Sequence, residues 1–239
     1  MTPREPDEPS PPLPDATALE ARFIGLAERL GTHARLPSVD PRGLFRELLA
    51  RYDEPHRRYH ARRHLAFCVR ELQTIHGELA RPDEAEFALF YHDAIYEPRP
   101  FAKNEAESAE LARRVLASIG ADEGAIARVA ALILATASHD VPAGLSGPEA
   151  ADAALVLDID MGILGASPRG YAVYEAGVRA EYGWVPEFSF RRSRGKFLLA
   201  VLERPAIYLT PHYRVRLEAR ARENLGRAAR AATARRAPD

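Results

Sequence analysis

Histidine and aspartate residues occur inside apolar stretches at several places in the chain, where such side chains are uncommon. Of the eight histidines, the informative ones lie on apolar helical faces or beside an aspartate. The candidate groups are His60 with His64, His92 with Asp93, His139 with Asp140, and Asp158 with Asp160. A lone histidine of this kind is usually a hydrogen-bonded core residue. Several of them together with carboxylates indicate a shared site, since imidazole and carboxylate are common ligands of divalent metal ions.

The segment AEFALFYHDAIY, residues 85–96, is apolar on nearly every side yet carries a histidine and an aspartate. Burying an ionised Asp93 there costs several kcal/mol unless a cation or hydrogen bonds compensate. Adjacent helical residues point about 100° apart, so His92 and Asp93 cannot hold an ion by themselves as an i, i+4 pair can. The segment ALVLDIDMGIL, residues 154–164, places two further acids in an apolar run. We therefore expect a metal site to which distant parts of the chain contribute.

His60 and His64 compete for the role of a further ligand. His64 is the better candidate, because the helical face on which it lies stays apolar over the next two turns. That face consists of Leu65, Cys68, Val69 and Leu72. His60 lies among arginines and is expected nearer the mouth of the site. The cysteine on the apolar face is expected to pack as a small apolar side chain rather than to bind the ion. Zinc peptidases share this His-x-x-x-His spacing, but position 61 is alanine where their motif needs glutamate, which argues against peptidase chemistry.

The elements that must position these residues are helices. Apolar residues recur at three- and four-residue spacing, and no segment alternates with the two-residue period of a half-buried strand. Proline at positions 41, 82, 168 and 211 indicates four helix starts, and glycine at positions 31 and 120 indicates two helix ends. The predicted helices run near 17–30, 40–51, 58–80, 82–95, 104–119, 122–138, 148–165, 168–182, 187–204 and 211–230. The sequence therefore predicts an all-α bundle.

Composition predicts one domain over residues 16–227, between a disordered lead-in of residues 1–15 rich in proline and acidic residues and a frayed tail of residues 228–239. The formal net charge is -1, which offers no overall attraction to nucleic acid or to a membrane surface. A single cysteine excludes an internal disulfide, and no apolar run has the ~20 residues that span a bilayer. The start of the chain also lacks the apolar core of a signal peptide. We expect a cytoplasmic protein, and nothing in the sequence indicates its oligomeric state.

Five segments together resemble the bacterial family of predicted metal-dependent HD phosphohydrolases, over about residues 20–227. They are RRYHARRH, YHDAIY followed by KNEAESAELA, LDIDMGILG, YEAGVRAEYGWVP and EARARENL. HD-domain proteins bind a metal through a histidine, an adjacent His-Asp pair and a distant aspartate. The resemblance therefore implies an HD-domain helical bundle with His64, His92, Asp93 and Asp160 as metal ligands. It favours Asp160 over Asp158, because the ligand is usually the second acid of the Asp-x-Asp pair, and Asp158 would then support it by hydrogen bonding.

The same resemblance implies hydrolysis of a phosphoester by a metal-activated water, with His92, Asp93 and Asp160 at the catalytic centre. The ion would be Mn, Mg, Co, Zn or Fe, since the mixed ligand set leaves its identity and number open. The substrate would be a small phosphomonoester or a nucleotide-like molecule. Candidate contacts to its phosphate are Arg57, Arg58, His60, Lys103 and His139. Asn104 and Glu105 are either a helix-capping pair or, as the resemblance implies, orienting residues near the metal.

Two other functions remain open from the sequence. A diiron oxygenase of the HD type would use additional histidines, for which His60 and His139 are available, to hold a second metal. A regulatory protein would keep the fold and the site only to bind a metal or a nucleotide. Uptake of oxygen by an iron-loaded sample distinguishes the first of these from a hydrolase, and an intact ligand set argues against the second.

Overall fold

The chain folds into α-helices without a β-strand in the part that the computed structural model describes, residues 13–32 and 39–233. The predicted all-α class is thus confirmed. The helices are α1 (Ala16–Leu30), α2 (Pro41–Tyr52), α3 (Arg62–Ile75), α4 (Pro82–Tyr91), α5 (Asn104–Ile119), α6 (Glu123–Ala135), α7 (Gly147–Asp160), α8 (Pro168–Glu181), α9 (Glu187–Glu203) and α10 (Pro211–Thr233). Two 3₁₀ turns follow α3 and α7, at His76–Glu78 and Met161–Gly165.

Local sequence signals explain most of the helix boundaries. Proline is the first residue of α2, α4, α8 and α10, as predicted, because its fixed φ suits a helix start and its missing N–H would have no helical partner there. Asp15, Asp122 and Ser167 cap the starts of α1, α6 and α8 through side-chain oxygens that accept backbone N–H bonds. Gly120 ends α5 with a left-handed φ of 76°, a conformation that glycine adopts without steric cost.

Contacts divide the chain into two compact units, residues 1–160 and 161–239. Helix α4 is the centre of the first unit, where it packs against α1, α3, α5, α6 and α7. Every residue from Glu84 to Tyr91 is buried, which explains why this helix has no polar face. Phe23 of α1 packs its ring against Phe87 and Phe90 of α4 at centroid distances of 6.1 and 5.4 Å. Fully burying a phenylalanine contributes about 1.5–3 kcal/mol, so this aromatic core holds α4 in place.

The second unit consists of the Met161–Gly165 turn and helices α8 to α10. A Cβ on Gly165 would lie 2.6 Å from the Leu217 Cβ, so only glycine allows α10 to approach the turn. Asn224 is fully buried, and its side-chain amide donates to the carbonyls of Leu164 and Ala166. The contact of Asn224 with Leu164 joins residues of two segments, LDIDMGILG and EARARENL. The predicted domain of residues 16–227 spans both units, and that these residues form a single domain remains a prediction.

The predicted ends of the chain lie largely outside the described residues. The disordered lead-in was expected over residues 1–15, of which 1–12 lie outside the description and Asp15 caps α1. The predicted frayed tail, residues 228–239, is helical as far as Thr233, where α10 ends, and its remainder lies outside the description. None of the helices in the described ranges combines the length and the apolar character needed to cross a bilayer.

Candidate metal centre

Three segments of the first unit bring four predicted ligands together. His64 lies in the first turn of α3, Asp160 is the last residue of α7, and the His-Asp pair follows the last residue of α4. The His64 Nε2 lies 3.0 Å from the His92 Nε2 and 3.1 Å from the Asp160 Oδ1. The His92 Nε2 lies 3.1 Å from the Asp93 Oδ2. We call this set of His64, His92, Asp93 and Asp160 the ligand cluster.

The spacing of the ligand cluster fits a single divalent ion. The distances between its facing nitrogen and oxygen atoms run from 3.0 to 3.5 Å. Atoms bound at about 2.1 Å from a common ion lie about 3.0 Å apart at a right angle and about 3.4 Å apart at the tetrahedral angle. The two imidazoles are nearly fully buried, whereas the carboxylates of Asp93 and Asp160 are 17% and 13% exposed. The carboxylate side chains are therefore the partly exposed side of the cluster, although the Asp93 Oδ2 itself is buried.

One carboxylate oxygen of the cluster has a clear need for a cation. The Asp93 Oδ2 is buried and accepts no hydrogen bond from the described residues, although two imidazole nitrogens lie within 3.5 Å of it. Without an ion, the nearest group that can balance the charge of this oxygen is a protonated His92, whose Nε2 lies 3.1 Å away. A buried charged acceptor without a donor costs several kcal/mol, and native proteins rarely contain one. An ion bound by the cluster would compensate this charge. The chemistry of the donor set and the unsatisfied oxygen thus agree with the metal site that the sequence predicts.

The backbone presents the His92 ring to the cluster in one orientation. Because α4 ends at Tyr91, the carbonyl of Leu89 is available, and it accepts a hydrogen bond of 2.9 Å from the His92 Nδ1. A carbonyl can only accept, so Nδ1 carries the proton and Nε2 faces the other ligands. A histidine ligand is commonly oriented in this way by a backbone carbonyl. The predicted helix of residues 82–95 is four residues too long, and the early end is what gives this histidine its orienting partner.

Charges within the metal-free cluster stabilise one another. Burial lowers the pKa of the His92 imidazole, but the charges of Asp93 and Asp160 outweigh it and hold that pKa well above its ordinary value. Burial raises the pKa of both carboxylates, yet the neighbouring imidazoles, with His92 the largest influence, hold the two pKa values well below the ordinary range. In the absence of an ion, these charges favour a protonated His92 beside ionised Asp93 and Asp160. A bound metal ion would replace the proton on the His92 Nε2 and would be the positive partner of Asp93 and Asp160 in its place.

Cys68 lies closer to the cluster than its sequence context suggests. Its sulfur is fully buried and lies 3.7 Å from the His64 Nε2. His64, Cys68, His92 and Asp160 each offer one ligand atom, and these atoms all lie within 4.8 Å of one another. Burial, followed by the charges of Asp160 and Asp93, raises the thiol pKa well above its ordinary value, so the metal-free site holds a neutral thiol. The i, i+4 spacing from His64 was the available signal for this proximity.

The structure distinguishes between the alternatives that the sequence left open. His64 rather than His60 places a nitrogen in the cluster, while the His60 ring lies 5.9 Å away, centroid to centroid, from the His64 ring. His60 instead stacks on Tyr96 at a centroid distance of 4.2 Å. Asp160 faces both histidine ligands and belongs to the group of close ligand atoms, whereas Asp158 is 1% exposed and does not. Asp93 is also outside that group, and it joins the cluster through its 3.1 and 3.5 Å distances to the two histidines. These placements agree with the preferred ligand set.

Arg57, one of the predicted contacts to the substrate phosphate, is buried and bonded within the protein. Its side chain is 0% exposed, and its guanidinium donates to the Glu54 carboxylate and to the carbonyls of His60, Asp93 and Ala94. A guanidinium offers five donors in a rigid fork, and here the fork holds the backbone immediately after His92. Sequence shows the charge of an arginine but not its burial. Arg57 is therefore a positioning residue for the ligand cluster.

The other predicted phosphate contacts lie in different surroundings. Arg58 is exposed and donates to the carbonyl of Arg57, and Lys103 is exposed just before α5. His139 follows α6, and its Nε2 lies 3.0 Å from the Asp160 Oδ2 with the side chain 26% exposed. His139 therefore borders the cluster directly. Contacts of Arg58, Lys103 and His60 with a substrate remain predictions.

Two polar residues at the start of α5 hold the loop that follows the His-Asp pair. The side-chain amide of Asn104 accepts from the N–H of Glu97 and donates to its carbonyl. The hydroxyl of Ser108 does the same for the backbone of Ile95. Neither residue touches the ligand cluster through these bonds. The segment KNEAESAELA thus orients the metal site indirectly, through the backbone of residues 95–97.

Comparisons with protein-family models, with curated proteins and with solved structures find no significant match to this chain.

Proposed function

We propose that the chain is a metal-dependent hydrolase of the HD type that cleaves a phosphoester by means of a metal-activated water. The observation that supports it best is the ligand cluster itself. Two imidazoles and two carboxylates meet at 3.0–3.5 Å inside an otherwise apolar core, with one carboxylate oxygen lacking a hydrogen-bond donor. The motifs that resemble HD phosphohydrolases supply the same four residues.

The four ligands suit hydrolysis better than structural binding. A divalent ion commonly takes about six ligands, so four side chains leave positions for a water and a substrate oxygen. When bound, such an ion lowers the pKa of a water molecule and so supplies a strong nucleophile near neutral pH. The two carboxylates offset the charge of the ion, and their exposed side gives the substrate a route to it. In the proposed reaction, His92 and His64 hold neutral nitrogens towards the ion, and Asp93 and Asp160 hold the two charges.

Groups around the cluster would handle the substrate. Among the predicted phosphate contacts, His139 borders the ligand Asp160 at 3.0 Å, and the His60 ring lies 5.9 Å from the ring of the ligand His64, centroid to centroid. An imidazole such as that of His60 can donate a hydrogen bond to a phosphate oxygen or a proton to the leaving group. No side chain of the described residues offers a better nucleophile, since the pKa of the buried Cys68 thiol lies well above its ordinary value. We propose a small phosphomonoester or nucleotide-like molecule as substrate and a cytoplasmic location.

The test is hydrolysis by the purified full chain with its metal content controlled. The protein is stripped by chelation, checked by elemental analysis, and assayed against phosphomonoesters, nucleotides and cyclic nucleotides with and without added Mn²⁺, Co²⁺ or Mg²⁺. The proposal expects activity only with metal. Turnover that persists in a verified metal-free sample would contradict it.

A matched pair of variants strengthens the test. The chain contains two His-Asp dipeptides, 92–93 in the cluster and 139–140 outside α6, and Asp140 is exposed. Asp93→Asn should lose metal and activity together, whereas Asp140→Asn should keep both. Metal binding without hydrolysis across the panel, combined with oxygen uptake by the iron-loaded protein, would instead favour the HD oxygenase.

A further inference from the structure

His139 is held in an unfavourable backbone conformation beside the cluster. Its φ is 54°, and among the described residues only Phe101 is another non-glycine residue with positive φ. The left-handed region costs a residue with a Cβ about 1 kcal/mol, and helix ends that need it usually have glycine. The His139 N–H donates to the carbonyl of Ala135, the last residue of α6, so the strained residue completes the turn that ends this helix. Strained residues cluster at functional sites, so the contacts of this side chain are of interest.

The side chain at this position has a defined target. The His139 Nε2 lies 3.0 Å from the Asp160 Oδ2, while the Asp160 Oδ1 faces the histidines at 3.1 and 3.5 Å. The carboxylate thus divides its two oxygens between two kinds of partner. An ionised carboxylate can only accept, so the His139 Nε2 donates to it. Such a bond restricts rotation of the carboxylate about its last side-chain torsion.

We infer that His139 is a positioning residue that fixes the outer oxygen of Asp160, so that Asp160 binds the ion through Oδ1 alone. A carboxylate whose second oxygen is engaged in a charge-assisted hydrogen bond does not chelate the ion with both oxygens. The coordination position left open then serves water or substrate. The inference rests on the proposed metal site, but it concerns the geometry of one ligand and not the reaction.

A role of His139 as ligand to a second ion has less support. Such an ion would need at least three ligand side chains close together. In residues 13–32 and 39–233, the one group of three or more His, Cys, Asp or Glu side chains with ligand atoms within 4.8 Å is that of His64, Cys68, His92 and Asp160. No second group of this kind forms around His139 in these ranges, and its Nε2 lies 3.0 Å from the Asp160 Oδ2. The described residues therefore supply a hydrogen-bond partner for Asp160 but not a second ligand set.

Two substitutions of His139 test whether it acts by hydrogen bonding to Asp160, because the two new side chains differ in length. In His139→Gln, the side-chain amide nitrogen occupies about the place of Nε2 and can still donate to Asp160. In His139→Asn, the amide is one carbon shorter and cannot reach, while asparagine tolerates the left-handed backbone well. The asparagine variant should therefore fold as stably as the unsubstituted protein yet bind metal more weakly. A role confined to folding would not produce this combination.

The experiment is calorimetric titration of the metal-free full chain with Co²⁺, accompanied by its visible absorption spectrum and a thermal melt. We expect one ion per chain, an affinity reduced 10–100-fold with an altered spectrum in His139→Asn, and an affinity close to the unsubstituted value in His139→Gln. Unchanged affinity in the asparagine variant would overturn the inference, and so would equal loss in both variants. Two ions in the unsubstituted protein and one in both variants would make His139 a ligand instead.

The titration also separates this inference from the proposed function. If the unsubstituted protein binds no Co²⁺, the metal site is wrong and the positioning role is wrong with it. If it binds Co²⁺ with the expected difference between the variants but hydrolyses no phosphoester, the positioning role stands and the proposed reaction fails.

Discussion

Arg57 and Arg58 are neighbours of the same type with opposite surroundings, and their alanine variants should differ strongly in stability. Arg57 donates to one carboxylate and three backbone carbonyls, at distances of 2.6–3.1 Å, from a side chain that is 0% exposed. Hydrogen bonds to a charged group contribute about 1.5–3 kcal/mol each, and a buried acceptor left without a donor costs about 1–3 kcal/mol. Because these effects are not additive and solvent can enter, we expect Arg57→Ala to lower the free energy of unfolding by about 3–5 kcal/mol.

Arg58→Ala is the matched control, since Arg58 is exposed and surface substitutions usually change stability by within about 0.5 kcal/mol. The measurement is urea unfolding of the metal-free proteins, followed by circular dichroism, with midpoint and slope both fitted. Arg57→Lys should also destabilise, because a single ammonium group cannot serve four acceptors in the place of a planar fork. If Arg57→Ala is within 1 kcal/mol of Arg58→Ala but loses phosphatase activity, Arg57 is a substrate contact and the structural assignment is wrong.

Three further predictions concern the cluster and the start of the chain. His92→Ala and Asp160→Ala should each remove bound metal while helical circular dichroism stays largely intact, whereas Asp158→Ala should weaken binding less. Equal metal loss in the two aspartate variants, measured by elemental analysis, would reverse the choice between them. The raised pKa of His92 and the lowered pKa values of Asp93 and Asp160 predict a pH range in which the metal-free protein is most stable. The contribution of His92 is complete below its ordinary pKa of about 6.5 and is lost as pH rises through the raised value. The contribution of the two carboxylates is complete above their ordinary pKa of about 3.9 and is lost as pH falls through the lowered values. The urea midpoint should therefore be highest between these two pH limits and should decrease both at lower and at higher pH. His92→Ala should abolish the decrease at high pH. A midpoint that does not change with pH would refute the pairing of His92 with Asp93 and Asp160. Removal of residues 1–12 should change the melting temperature by no more than a few degrees, because this acidic and proline-rich stretch has few apolar groups to bury and the capping aspartate of α1 remains.

The helical fold was largely predictable because its signals are local. Proline at the helix starts and glycine at two helix ends act within a few residues, so the predicted boundaries agree with most observed ones. The ligand residues were also accessible, since charged groups in apolar runs such as YHDAIY and LDIDMGIL are anomalies that sequence displays directly. The structure then places all four atoms of the preferred set together.

The features that sequence missed depend on contacts between distant residues. Helix α4 ends at Tyr91, four residues before its predicted end. Just after it, the carbonyls of Asp93 and Ala94 accept hydrogen bonds from the guanidinium of Arg57, which precedes Asp93 by 36 positions. No pattern within the segment contains this information. The i, i+4 spacing of His64 and Cys68 allows the two side chains to meet, but the apolar neighbours of Cys68 favoured a packing role, and the fold places its sulfur 3.7 Å from the His64 Nε2. The pairing of His139 with Asp160 likewise joins the turn after α6 to the end of α7.

The central claim is that His64, His92, Asp93 and Asp160 bind one divalent ion. The most direct test is a crystal structure of the full chain grown with Mn²⁺ or Co²⁺, with diffraction recorded on both sides of the absorption edge of that metal. We expect one strong anomalous peak about 2.0–2.3 Å from a nitrogen or oxygen of each of the four residues. A metal-saturated crystal in which the peak lies elsewhere and the Asp93 Oδ2 remains without a partner would show that these residues do not form the metal site.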